Sequence, residues 1–184
     1  MVTIYDSAVR SFEAAAAVLM SLQSCRTNLA AEAGRALDNR PKVILSAGYN
    51  SMTSSVGICM PEDARAEFSR SDDDEGLEFR TSGLNWMTIE GLVPAEIDAA
   101  TCYLDAAVSF PAPTVADVFL RDFLADGGIA DSLHQEWALG ADRAAVCSLR
   151  LPALRSGATA RRIIIHLRQP PLRFVIRSLS LTMV

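Results

Sequence analysis

The chain has 184 residues, of which half are hydrophobic and 21% charged, a balance that excludes a disordered polymer and suits one globular unit. A formal charge of −5 excludes the basic stripe with which nucleic-acid binders neutralise phosphates. No apolar run reaches the ~20 residues of a membrane-spanning helix, and the opening MVTIYDS lacks the basic-then-apolar order of a signal peptide.

Residues 1–40 are expected to be helical and 41–184 to form a β-sandwich. From Ser7 to Leu37 there is no proline and only one glycine, Gly34, while Asp6 or Ser7 offers a cap and Asp38-Asn39-Arg40-Pro41 a stop. Tyr5, Ala8, Phe12, Ala15, Leu19, Leu22, Arg26, Leu29, Ala33 and Ala36 recur at steps of three and four, a heptad seam with one polar intruder, Arg26. Such a helix either lies on the sheet of its own domain or pairs with other copies to make an oligomer. The seam predicts one buried face and leaves its partner open.

From Lys42 the period shortens to that of strands. Val43-Ile44-Leu45 and Val56 to Met60 read as strands around a polar loop, Gly48 to Ser55. Ala66–Arg70 and Leu77–Thr81 form a hairpin around Ser71-Asp72-Asp73-Asp74-Glu75-Gly76. Leu84–Leu92 alternates, and Thr101–Phe110 does so most cleanly, with Cys102, Leu104, Ala106, Val108 and Phe110 inward. Thr114–Leu124 fits a helix face or a strand and is assigned as strand from its neighbours. Short strands follow at Glu136–Leu139 and Ala144–Leu151, then Arg161–Leu167. Gln169-Pro170-Pro171 breaks the chain before a last strand with Leu172, Phe174 and Ile176 on one face. About nine to eleven short strands without βαβ alternation predict an antiparallel sandwich of jelly-roll type, mainly β, behind a long N-terminal helix.

Trp137, Arg150-Leu151-Pro152, Ser156-Gly157, the run Arg161–Leu167 and the closing Phe174–Leu181 come in an order that resembles the galactose-binding-like jelly rolls found as carbohydrate-binding modules. The resemblance spans residues 86–184. It departs at Arg177-Ser178, where such modules often carry an aspartate. It implies a sandwich that recognises glycans and transfers no ligand residue.

Sugar rings stack on exposed aromatics flanked by polar groups, which singles out Tyr49, with Asn50 beside it, Trp86, Tyr103 and Trp137. The acidic run around Asp72 and Asp74 offers oxygen ligands for calcium, although its spacing is not that of an EF-hand, and a solvated hairpin tip is the plainer reading. The two histidines, His134 and His166, have neither metal-site spacing nor a nucleophile motif, so an enzyme is the minority reading. Four cysteines, Cys25, Cys59, Cys102 and Cys147, lie far apart and are expected as unpaired thiols, which points to a reducing, cytoplasmic compartment unless the chain is a piece of a longer protein. Lys42 as the only lysine, with abundant arginine and alanine, points to a GC-rich bacterial genome.

The leading functional reading is a non-catalytic, carbohydrate-binding recognition module made oligomeric by its helix. The alternatives are an assembly domain that binds a protein partner through the helix or a sheet face, and an accessory domain of a carbohydrate-active enzyme.

Overall fold

A computed structural model of the protein describes residues 4–72, 75–94, 99–140 and 144–184. The elements run α1 (Ile4–Ser24), β1 (Arg26–Asn28), α2 (Leu29–Gly34) with a 3-10 turn Arg35–Leu37, β2 (Lys42–Leu45), β3 (Gly48–Ser51), β4 (Val56–Met60), β5 (Arg65–Arg70), β6 (Leu77–Ser82) and β7 (Trp86–Val93). They continue as β8 (Thr101–Ser109), β9 (Thr114–Leu124), β10 (Ile129–Leu139), β11 (Ala144–Arg150), β12 (Ala158–Arg168) and β13 (Arg173–Met183). The strands form a seven-stranded sheet ordered β11-β8-β13-β6-β5-β2, with β1 also on β13, and a six-stranded sheet ordered β10-β9-β12-β7-β4-β3. Neighbouring strands are antiparallel, and the two sheets enclose one core, so the expected mainly-β sandwich is observed.

Alternation explains the core. Cys102, Leu104, Ala106 and Val108 of β8 are buried, with Phe110 just beyond it, as are Ile163, Ile165 and Leu167 of β12. Phe68, Phe79 and Phe174 stack at ring separations of 5.5 and 5.0 Å, and Phe110 meets Phe174 edge-on at 5.2 Å. On β13 the inward set changes parity from Phe174 and Ile176 to Leu179, Leu181 and Met183. A register shift between Ile176 and Ser178 inserts Arg177 and keeps both halves of the strand facing the core. Leu172, expected to share the inward face, precedes the strand and is 75% exposed.

The N-terminal segment differs from the single helix expected over Ser7–Leu37. After Ser24 the chain extends, and Arg26–Asn28 pairs with Thr182–Ser180, on the edge of β13 that β6 holds farther up the strand. Arg26 is not a seam residue. Its Nη2 donates to Asp105 Oδ2 at 2.9 Å and to Ser180 Oγ at 3.0 Å. Asn28 then caps α2 by accepting from the Ala31 amide at 2.9 Å. Leu29, Ala33 and Leu37 are buried in the sandwich core, and a Cβ at Gly91 would stand 2.9 Å from a Leu29 methyl. Residues 26–37 therefore belong to the core. In α1, by contrast, no residue is buried, so the reading in which the whole helix lies on its own sheet does not hold.

Two further differences concern strands. Gly48–Ser51, expected in a loop, is β3, and β10 begins at Ile129, well ahead of Glu136. Thr114–Leu124 is a strand as assigned. The hairpin β5–β6 closes with Arg70 opposite Leu77.

One end of the core contains a buried ion pair. Arg161 donates to both carboxylate oxygens of Asp122 at 2.6 and 2.9 Å, and to the carbonyls of Pro152 at 2.5 Å and Ala153 at 3.1 Å. The Arg161 hydrogen bonds hold the Asp122 carboxyl below its usual range against the opposing effect of burial. A depressed folded pKa gives stability that is present above the unfolded value, about 4, and is lost as pH falls through the folded one.

Two outcomes follow. A chain starting at residue 25 should melt within a few degrees of the full chain, whereas one starting at Pro41 should not fold, because it lacks β1 and α2; circular dichroism melts check both. Arg161→Ala should cost about 3–5 kcal/mol in urea unfolding at pH 7 by stranding a buried carboxylate, and much less below the acid transition, where Asp122 is protonated.

Candidate ligand-binding face

The outer surface of the six-stranded sheet gathers the residues with ligand-binding chemistry. β12 lies at its centre, hydrogen-bonded to β7 on one edge and β9 on the other. With Ile163, Ile165 and Leu167 inward, Arg162, Ile164, His166 and Arg168 must point out. Register then fixes their neighbours: Ile164 lies between Glu90 and Phe119, and His166 between Thr88 and Asp117. Glu90 is opposite Gly57, and Cys59 is opposite both Thr88 and Tyr49.

Two irregularities complete a row across the sheet. Gly57 has no side chain, and the Tyr49 ring occupies that space: a Cβ on Gly57 would lie 2.2 Å from the phenol oxygen. At the far edge, a bulge in β10 between Ser132 and Gln135 places two residues, Leu133 and His134, opposite Phe119. One of them, His134, stacks on Phe119 at 4.4 Å and 19°. The row thus reads Tyr49, Glu90, Ile164, Phe119, His134. Its floor is covered, with Ile164 at 0% and Phe119 at 6% exposure, while Tyr49 remains 48% exposed and His134 is exposed.

Cations border the row. Arg162 lies over the Tyr49 ring and Arg121 over the Phe119 ring, each 5.4 Å from the centroid. Arg121 is held by a bidentate bond to Asp131, at 2.7 Å on both oxygens, which raises its pKa. The buried Nη1 of Arg162 has no hydrogen-bond partner among the described residues. On the other flank Arg168 clamps Asp117 and reaches Glu136 at 3.2 Å, and its hydrogen bonds hold the Asp117 carboxyl low. His166 Nδ1 stands 3.4 Å from Asp117 Oδ2, and its ring is 5.8 Å from Trp86.

Burial pushes the Tyr49 phenol up, with the Glu90 charge adding to it and Arg162 opposing. Burial, then Glu90, also raises the Cys59 thiol, which keeps it protonated at neutral pH and unsuited to nucleophilic attack. Glu90 itself accepts from Thr88 Oγ1 at 3.1 Å. The face can stack rings and exchange hydrogen bonds with hydroxyls.

Of the residues expected to bind a sugar, Tyr49 and Trp86 lie on this face and the others do not. Asn50 staples its own loop, bonding Ser46 and the Gly48 carbonyl. Tyr103 is 43% exposed, but on the opposite sheet. Trp137 points inward and is 4% exposed, so it is a core residue and offers no platform. Asp72 is an exposed residue, and Asp74 lies outside the described residues. Among the described residues no group of three or more His, Cys, Asp or Glu side chains is placed to hold a metal. Cys102 and Cys147 are buried and unpaired. His134 and His166 share the outer face, each beside its own aromatic partner.

No protein-family model and no curated protein matches the chain. Among solved structures it is similar to the C-terminal family 22 carbohydrate-binding module of Clostridium thermocellum Xyn10B, with 14% identity over 71% of this chain and 86% of that one at a TM-score of 0.49. A xylan-binding domain of family 22 aligns at 14% identity, 76% and 97% coverage and a TM-score of 0.47. A family 11 module of a Clostridium thermocellum cellulosomal cellulase aligns at 11% identity, 76% and 97% coverage and a TM-score of 0.42. The sandwich and its outer face are defined by this chain's own strand pairing.

Gly57→Ala should displace the Tyr49 ring at little cost in melting temperature, since the collision is with the end of a mobile side chain. The raised Tyr49 pKa should then return toward the ordinary tyrosine value of about 10, read by ultraviolet titration against a Tyr49→Phe control.

Proposed function

We propose that the protein is a non-catalytic glycan-binding module whose site is the outer face of the six-stranded sheet. The row from Tyr49 to His134 carries this reading. It sets ring faces beside polar groups, as pyranose recognition requires: C–H surfaces against the exposed Tyr49 and His134 rings, hydroxyls against the flanking Arg162 and Arg121. Its partly exposed ends and covered floor suit a shallow site on a chain of sugars more than a deep pocket for one. In affinity electrophoresis against a panel of soluble polysaccharides, the wild type should be retarded by at least one. Tyr49→Ala and His134→Ala should each weaken that binding about tenfold, ~1.4 kcal/mol, while Tyr103→Ala on the opposite sheet leaves it unchanged. If no polysaccharide retards the protein, the reading falls.

The exposed helix favours a second element. We propose that α1 pairs with α1 of another copy, so that weak sites act together. Tyr5, Ala8, Phe12, Ala15, Leu19 and Leu22 keep a and d spacing, and none is buried by the sandwich. Light scattering should give an oligomer for the full chain and a monomer for the chain starting at residue 25. A monomeric full chain would remove the pairing and leave the sugar site untouched.

A further inference from the structure

A cavity of about 440 Å³ opens where the edge strands of the two sheets meet, between β10 and β11. Its size falls within the range of small-ligand sites, ~300–1,000 Å³. Its polar lining consists of Thr101, His134, Gln135, Ser148 and Arg150, with Leu133 and Leu149 as apolar wall. Every polar side chain in that set can donate a hydrogen bond, and no aspartate or glutamate is among them. Most arginines of the sandwich discussed above are neutralised by a carboxylate, Arg121 by Asp131 and Arg168 by Asp117 among them. Arg150 is exposed and has no acidic partner among the described residues. In a chain of net charge −5, an uncompensated guanidinium in a cavity free of acids makes a local anion site.

The cavity is joined to the row by the β10 bulge. Leu133, a branched residue, adopts a left-handed φ of 59°, a conformation that non-glycine residues rarely hold. That kink lets His134 stack on Phe119 at the end of the row and also line the cavity. We propose that the cavity receives the anionic substituent, a carboxylate or a sulfate, of an acidic saccharide whose neighbouring rings lie along the row. The proposal rests on the glycan reading above and specifies its substrate class. The planar guanidinium of Arg150 engages two oxygens of the anion, and Gln135, Ser148 and His134 donate to the rest.

Calorimetric titration of the full chain with a neutral xylo- or cello-oligosaccharide, an oligogalacturonate and a sulfated galactan oligosaccharide tests it. At least one anionic ligand should bind about tenfold or more tightly than the neutral one, and added salt should reduce that advantage. The tighter anionic arm identifies the group as carboxylate or sulfate. Arg150→Gln should abolish the advantage without changing neutral binding, and Gln135→Glu, which places an acid in the cavity, should reverse it. If neutral and anionic sugars bind alike, or if Arg150→Gln keeps the preference, the anion site is wrong and the glycan reading stands. If no sugar binds at all, both fall together.

Discussion

The candidate site depends on the alternation of β12. The strand is hydrogen-bonded along both edges, and its inward residues Ile163, Ile165 and Leu167 are buried between the sheets. A slip of one residue would carry that set into water and bring Arg162 and His166 into the core, so register is set by the hydrophobic effect itself. Once β12 is fixed, its partners have no freedom. Glu90 and Phe119 must flank Ile164, and Thr88 and Asp117 must flank His166. The outer face is thus a by-product of packing the inner one, refined by a glycine that admits the Tyr49 ring and a bulge that lifts His134.

The other sheet has a different task. β13 pairs with β8 along most of its length and holds β6 and β1 on its free edge. This brings the chain's start and its last strand together, seating Leu29 of α2 beside Gly91 at the open end of the sandwich. The buried Asp122–Arg161 pair occupies one end of the core, satisfied by two backbone carbonyls as well as by its own bidentate bond. Core closure and the ligand face therefore draw on separate residues, so substitutions on the face are compatible with a folded protein.

Much of this fold was legible from residue periodicity. β8 carries uninterrupted alternation bounded by turn residues; it, the β5–β6 hairpin and the two C-terminal strands form where expected, with a change of parity in β13 at Arg177. The helix break was not legible, because Cys25-Arg26-Thr27-Asn28 contains neither proline nor glycine and continues the heptad. What stops the helix there is tertiary: a vacant edge of β13 and the Asp105 and Ser180 partners of Arg26. The start of β10 was hidden by its polarity, since an edge strand with one face in water carries little hydrophobic signal. Of the proposed site, Tyr49 was singled out in the sequence by its residue type. Phe119, Glu90, Arg121 and Arg162 of the same proposed face were not legible, because only strand pairing brings them together. One signal was present. The unbroken runs Val118-Phe119-Leu120 and Ile163-Ile164-Ile165 mark strands covered on both faces, and a covered outer face on an exposed sheet indicates where side chains gather.

The measurement that addresses the central claim most directly is a nuclear magnetic resonance titration of the full chain with a saccharide it binds, followed at backbone amides. Perturbations centred on β3, β7, β9, β10 and β12, strongest near Tyr49, Ile164 and His134, and extending beyond that sheet only to the cavity residues Thr101 and Ser148–Arg150 beside β10, are the result expected of a site on the six-stranded sheet. Perturbations concentrated on β8, β11 and β13, or on the loops at one end of the sandwich, would contradict it.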